Sequence, residues 1–167
     1  EPPTAEQKKL RALMRHLEAL KKSRTQQSNR LSTCGDEEVR ASILTLLQAM
    51  DGESAAMKQR LGRFFADHPD LKAKLDLLVS VTGFGRQTST HIMAEMYDLE
   101  QYENGKAAAA DAGITTSHYS SGTSVRRRPK MSRMGKASIR SALYFPAITA
   151  IRHNPVVRRL AERLEAK

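Results

Sequence analysis

Leu31-Ser32-Thr33-Cys34-Gly35-Asp36-Glu37-Glu38 divides one long helical pattern into two. Gly35 breaks the periodicity, and Asp36-Glu37-Glu38 puts carboxylates where the positive end of a helix dipole stabilises them. Upstream, residues 4–32 contain no Gly or Pro, and Leu10, Leu13, Leu17 and Leu20 recur at three- and four-residue steps, followed by Leu31 after a polar interval. Thr4 suits an N-cap, with Glu6 and Gln7 behind it. At about 1.5 Å per residue the pattern predicts a rod of roughly 43 Å. Downstream, Val39, Ile43, Leu46, Leu47 and Met50, then Met57, Leu61, Phe64 and Phe65, continue an apolar stripe. Gly52 weakens that helix by about 1 kcal/mol relative to Ala without ending it. Two long helices joined by a tight turn fold back as an antiparallel, coiled-coil hairpin. Its stripes exceed what one partner hides, so the expected assembly is a homo-oligomer through this hairpin.

His68-Pro69 marks a boundary, giving a hairpin over 1–67 and a second, small helical domain over 68–167. Pro69 suits a first helical position, and Leu71, Leu75, Leu77, Leu78 and Val79 follow. Next comes Val81-Thr82-Gly83-Phe84-Gly85, then Thr88, Ser89 and an amphipathic run through His91, Ile92, Met93 and Met96. Glycines alternating with hydrophobic residues between two short helices are the signature of a helix-hairpin-helix. Gly83 and Gly85 would let the turn lie against a phosphate, held by the N–H groups of the next helix beside Arg86 and Thr88. The competing reading is a packing turn. An alanine-rich helix over 106–112 ends at Gly113. Residues 114–124 read as extended or irregular, anchored by Ile114 and Tyr119. A helix over 135–153 carries Ile139, Leu143, Ala147, Ala150 and Ile151 on one face, with Pro146 expected to kink it. Asn154-Pro155 punctuates, and a last basic helix follows. The fold class is all-α.

Between these helices stands Ser120-Ser121-Gly122-Thr123-Ser124-Val125-Arg126-Arg127-Arg128-Pro129-Lys130, four hydroxyls round one glycine and then a block of cations. Arginine forks fit phosphate oxygens, and a hydroxyl beside them has two possible jobs. It donates to a phosphate, or it attacks the phosphorus. The formal net charge is +10, and residues 121–167 hold 12 of the 28 Lys and Arg but only 2 of the 18 Asp and Glu. The excess therefore lies entirely in this segment, the electrostatic footprint of a nucleic-acid partner. Arg126, Arg127, Arg128, Lys130, Arg133 and Lys136 are the candidate backbone contacts, with Gly122 and Thr123 at the turn. His118 stands three residues before Ser121 but has no third group to orient it, so it reads as a loop histidine. Tyr119 and Tyr144 read as core residues with anchored hydroxyls, and His153 as a helix cap or phosphate ligand.

The single Cys34 excludes an internal disulfide and offers no metal cluster. No apolar run approaches the roughly 18 residues of a membrane span, and there is no signal peptide, so a cytoplasmic location is expected. Glu1-Pro2-Pro3 opens without methionine, as a piece of a longer protein would.

Taken together, Val81-Thr82-Gly83-Phe84-Gly85, Ala112-Gly113-Ile114-Thr115, Ser121-Gly122-Thr123-Ser124-Val125-Arg126, Gly135, Ala142-Leu143-Tyr144 and Arg152-His153-Asn154-Pro155 resemble the C-terminal half of insertion-sequence one-ten transposases, relatives of the Piv/MooV DNA invertases. The resemblance covers about 69–164, and the preceding helices resemble the family's coiled coil. It implies a bacterial recombinase with a RuvC-like domain of four acidic metal ligands, a coiled coil, and a C-terminal domain bearing a nucleophilic serine. That serine precedes the glycine of the Ser-Gly-Thr motif, which gives the role to Ser121. The resemblance further implies DNA as substrate, a structured guide RNA, and Mg²⁺ for the full-length protein. Arg127 stands where the family often has Gly, and nothing in this chain resembles the acidic domain. The expectation is a recombinase fragment without its metal site, inactive alone, with no cofactor in this chain. The alternative is a non-catalytic nucleic-acid-binding and dimerisation module.

Overall fold

The computed structural model describes residues 3–117, 120–121, 125–126, 130–132 and 134–166, with the backbone alone for 117, 120, 121, 125 and 126. The chain divides into two compact units, Glu1–Ala73 and Lys74–Lys167. The described residues form seven α-helices, with four two-residue strands and one 3-10 turn between them.

In the first unit, α1 (Ala5–Thr33) and α2 (Glu37–Ala66) form the long antiparallel pair that the turn at Gly35 predicts. Local chemistry sets the ends. The Thr4 hydroxyl accepts from Gln7 N–H while Gln7 Oε1 accepts from Thr4 N–H, a complete capping box. Asp36 Oδ1 accepts from Val39 N–H at 2.9 Å to start α2. The Arg40 guanidinium donates to the carbonyls of Leu31 and Cys34, satisfying acceptors that the end of α1 leaves open. Gly52 lies inside α2 without interrupting it.

The buried seam differs in phase from the leucine stripe. Leu10, Met14 and Leu17 are buried in α1, whereas Leu13 and Leu20 are half-exposed. In α2 the buried apolar residues are Ile43, Leu47, Met57, Leu61, Phe64 and Phe65, while Val39 and Leu46 face outward. Beyond Leu17 the seam turns polar. Arg24 grips Asp51 with two bonds, Nε–Oδ1 at 2.5 Å and Nη2–Oδ2 at 3.0 Å. That contact holds the Asp51 carboxyl below its usual range.

α3 (Pro69–Ser80) leads into the second unit, which contains α4 (Arg86–Met96), a 3-10 turn (Leu99–Gln101), α5 (Gly105–Asp111), α6 (Ala137–His153) and α7 (Pro155–Glu165). Its core joins Ile92 and Met96 of α4 to Ala112 and Ile139, with Leu78, Phe84, Tyr102, Ala108 and Leu143 packed around them. The sequence suggests an amphipathic α4; instead residues 89–96 are all buried. A helix covered on every side is a central element rather than a surface one. α6 runs unbroken through Pro146, which is buried. Tyr144 departs from the sequence expectation: it is 63% exposed and meets Phe145 edge-on, so it is no core residue. Leu77, counted in the α3 stripe, is 71% exposed.

The contrast between Ile139, at 0% exposure, and Leu77 sets a test of this core. Ile139→Ala is expected to cost about 2–5 kcal/mol of unfolding free energy, and Leu77→Ala about 0.5 kcal/mol. Urea melts followed by circular dichroism measure both; equal losses would place the core elsewhere.

Candidate nucleic-acid interface

The segment between α5 and α6 leaves and returns through a narrow neck. Gly113 and Gly135 have φ of +71° and +96°, values that favour glycine. They meet so closely that a Cβ on Gly135 would lie 2.6 Å from the Gly113 backbone and 2.8 Å from the Asp111 carbonyl. Lys136 N–H donates to that same carbonyl at 3.0 Å. Arg140, from the first turn of α6, donates to the carbonyls of Gly113 (2.8 Å) and Ser132 (3.3 Å), spanning both sides of the neck.

Side chains lock the same point. Asp111 Oδ2 accepts from the Lys136 ammonium at 2.5 Å and from the Tyr102 hydroxyl at 2.5 Å. The lysine first, then the tyrosine, hold the Asp111 carboxyl below its ordinary range. Burial, and next the adjoining carboxylate, push the Tyr102 hydroxyl up to about 12.

Above the neck the chain forms two short antiparallel ladders. β1 (Thr116–Ser117) pairs with β4 (Lys130–Met131), with Thr116 opposite Met131 and Ser117 opposite Lys130. Ser132 N–H continues the ladder to Thr115 O at 2.7 Å. β2 (Ser120–Ser121) pairs with β3 (Val125–Arg126), with Ser120 opposite Arg126 and Ser121 opposite Val125. Of the stretch read as extended or irregular, 114–124, residues 116–117 and 120–121 are thus strands of a short ribbon, and Ser121 sits on the rung with Val125. Gly122, Thr123, Arg127, Arg128 and Arg133 lie outside the described residues, as do His118 and Tyr119. Lys130 is exposed on β4, and Lys136 is half-buried with its ammonium engaged by Asp111.

The Gly83 turn lies in the same unit. Phe84 N–H donates to Val81 O at 2.9 Å, closing the turn, and Gly83 has φ of +102°. Its missing Cβ would stand 2.8 Å from Pro146 O and 3.3 Å from Ala150 N. The close approach made possible by this glycine is therefore to the backbone of α6. Gly85 is exposed and precedes α4 with no side-chain cap; Arg86 is exposed and Thr88 half-buried. The first N–H groups of α4 thus lack a side-chain acceptor, as an anion-accepting helix start requires. At the α6–α7 corner the Asn154 side chain caps α7 and its N–H donates to Ala150 O, so Asn154 fills the capping role considered for His153, which is exposed. Arg158 folds back onto the carbonyls of Ile151 and Arg152. The described residues bring no three His, Cys, Asp or Glu together as a metal would need. No described helix is long and apolar enough to cross a membrane.

Sequence reasoning missed Tyr102, Asp111 and Arg140. Only the paired glycines hinted at the neck, since each carries the residue type that a left-handed backbone position favours.

This helical unit with its two short ladders belongs to the class of transposase domains: residues 75–162 match the model described as Transposase IS116/IS110/IS902 family. The chain belongs to that family. It is also 29% identical over 100 residues to the pilin gene-inverting protein of Moraxella bovis, and equally to that of Moraxella lacunata. The alignment takes in 59% of this chain but 31% of each relative, so this chain covers under a third of their length.

The neck carries a pH signature. With the Asp111 carboxyl lowered in the folded chain, its contribution is complete above about pH 4 and fades as pH falls through the folded value. Tyr102 works in the opposite sense: its contribution is complete below about pH 10 and fades as pH rises through about 12. The Asp111 side chain is 37% exposed, so water screens the pair. Asp111→Asn is therefore expected to cost only about 1 kcal/mol at neutral pH. Thermal melts at successive pH values should show a shallower acid-side fall in the variant. Parallel curves for the two proteins would mean that the pair does not hold the neck.

Proposed function

We propose that this chain is the coiled-coil and serine-bearing part of a DNA transposase or recombinase. It binds nucleic acid through its basic segment and supplies Ser121 as the nucleophile for strand cleavage and rejoining. The single observation that carries this is the family match over residues 75–162, which takes in the ladder that pairs Ser121 with Val125. The relatives are pilin gene-inverting proteins by name, and DNA rearrangement is the chemistry carried over here.

In this reading Ser121 Oγ attacks a backbone phosphorus. A phosphoserine bond forms, the bond from phosphorus to the leaving sugar oxygen breaks, and that oxygen takes up a proton. The phosphoester linkage is kept and the reverse attack reseals the strand, so no nucleotide cofactor is consumed. Phosphoryl transfer depends chiefly on positioning and charge neutralisation. The neck and ladders supply positioning, and Arg126, Arg127, Arg128 and Lys130 supply positive charge. Gly122 and Thr123, next to Ser121 in the chain, are further phosphate contacts in this reading, while the start of α4 at Gly85, Arg86 and Thr88 offers a second backbone contact as a helix-hairpin-helix. Gly83 shapes that turn against α6. In the full-length protein a RuvC-like domain would hold Mg²⁺ on its carboxylates; the described residues of this chain bring no such ligand set together. A guide RNA would choose the DNA site.

The rival reading is a binding and dimerisation module in which Ser121 merely donates to phosphate. A covalent trap separates the two. In the full-length protein, Ser121→Ala should abolish the denaturation-resistant protein–DNA adduct. DNA affinity should change by no more than the about 0.5–1.5 kcal/mol of one neutral hydrogen bond. Ser120→Ala should keep the adduct. Cleavage persisting in Ser121→Ala, or an adduct on a tyrosine, would refute the nucleophile.

The hairpin supplies assembly in the same proposal. Val39 and Leu46 remain outward on α2 after α1 is packed, an apolar face that a second copy would cover. Sedimentation of the chain at about 50 µM, within the range of weak interfaces, should show a dimer or higher species. Leu46→Glu should return it to monomer. A monomeric parent chain rules this interface out.

A further inference from the structure

A cavity of about 300 Å³ opens at the foot of the hairpin, where the first turns of α1 meet the last turns of α2. Lys9 and Leu13 line it from α1, Arg60, Arg63 and Phe64 from α2, and Asp67 from just beyond α2. Three cations thus converge from two helices on a space that holds one carboxylate.

The floor is rigid. Phe64 is 3% exposed, with Phe65 edge-on at 5.6 Å and His68 stacked at 4.4 Å. His68 is fixed in turn by a 2.7 Å bond between Nδ1 and Phe64 O. Lys9 Nζ lies 6.0 Å from the centre of the Phe64 ring, so its head is held near the cavity by the aromatic face. Arg60 donates from Nη1 alone, to Glu53 Oε1 at 3.5 Å and to Met57 Sδ at 3.9 Å, which leaves most of its donors uncommitted. Arg63 has no side-chain hydrogen bond or ion pair among the described residues.

Helix dipoles explain part of this arrangement. Arg63 in the last turn of α2 meets the negative end of that helix. Lys9 is the reverse case, a cation near the positive end of α1, where a negative charge is the favoured neighbour. An anion in the cavity would satisfy Lys9, Arg60 and Arg63 together. The size, at the lower bound for small-ligand pockets, suits one phosphate with its sugar. The ring of Phe64 is taken by Lys9 and His68, which leaves no open face for a base to stack on.

We propose that this cavity binds a backbone phosphate of nucleic acid, giving the hairpin a sequence-independent contact of its own outside the basic segment of the second unit. The contact reads charge and backbone, as phosphate contacts do. The backbone belongs either to DNA or to RNA, and both present the same phosphodiester.

The experiment titrates the whole chain into labelled 20-mers, duplex DNA and single-stranded RNA in separate arms, over a series of KCl concentrations. Lys9→Ala and Arg63→Ala should each weaken binding about three- to tenfold and flatten the log–log salt slope by about one. Asp67→Asn should strengthen binding. Lys22→Ala, an exposed cation of α1 outside the cavity, should stay within about twofold of the parent, and circular dichroism confirms that each variant is helical. A loss in one arm only identifies the backbone as DNA or RNA. No loss in either arm, or an equal loss with Lys22→Ala, overturns the site. Joint replacement of Arg126, Arg127 and Arg128 by Ala tests the basic segment separately. A loss there without one at Arg63 sinks the cavity alone, and the converse sinks the ribbon contact alone.

Discussion

The contact between Gly113 and Gly135 governs the second unit. Two backbones that come within the space of one methyl group can do so only where neither residue carries a side chain. That approach brings the start of α6 beside the end of α5, so that Asp111 can reach Lys136 and Arg140 can bridge carbonyls on both strands. The interactions are individually modest. Their value lies in shared geometry, because each one fixes a different atom of the same crossing and none is free to move without the others. The β1–β4 ladder begins next to this crossing, where Ser132 N–H donates to Thr115 O.

A comparable economy of small residues appears at the turn between α3 and α4. Gly83 offers the permissive backbone expected of a phosphate-binding turn, yet the neighbour it admits is the carbonyl of Pro146. The two glycines differ in their surroundings: Gly83 presses on α6, and Gly85 leaves the start of α4 without a side-chain cap. The family match spans both this turn and the ribbon, so one small helical framework carries both.

What the sequence disclosed follows the range of the forces involved. The ends of α1, α2 and α7 were legible because caps and breakers act within four residues: Thr4 with Gln7, Asp36 with Val39, Asn154 with Val156. The exact seam of α1 was not, since Leu13 and Met14 are adjacent and only the position of α2 decides which is covered. The all-round burial of α4 was hidden for a similar reason: periodicity shows which residues are apolar, not how many neighbours arrive. Strands of two residues have no period to detect. Asp111 and Lys136 stand far apart in the chain, and no local pattern joins them. The serine and arginine residues stood out by composition and by resemblance to a family, and the span of the family match includes their positions.

The Arg24–Asp51 pair bears on how the hairpin avoids misalignment. An antiparallel pair of helices with repeating apolar seams has several near-equivalent alignments, each displaced by about seven residues. Leucine against leucine distinguishes poorly between them. A two-pronged grip between one arginine and one carboxylate does not survive such a displacement, which would strand Arg24 away from Asp51 and bring Leu17 or Leu31 of the same helix to face the charge. The pair is exposed and adds little to the depth of the native minimum. It acts instead as a registration mark, making the slipped hairpins less favourable than the one that closes.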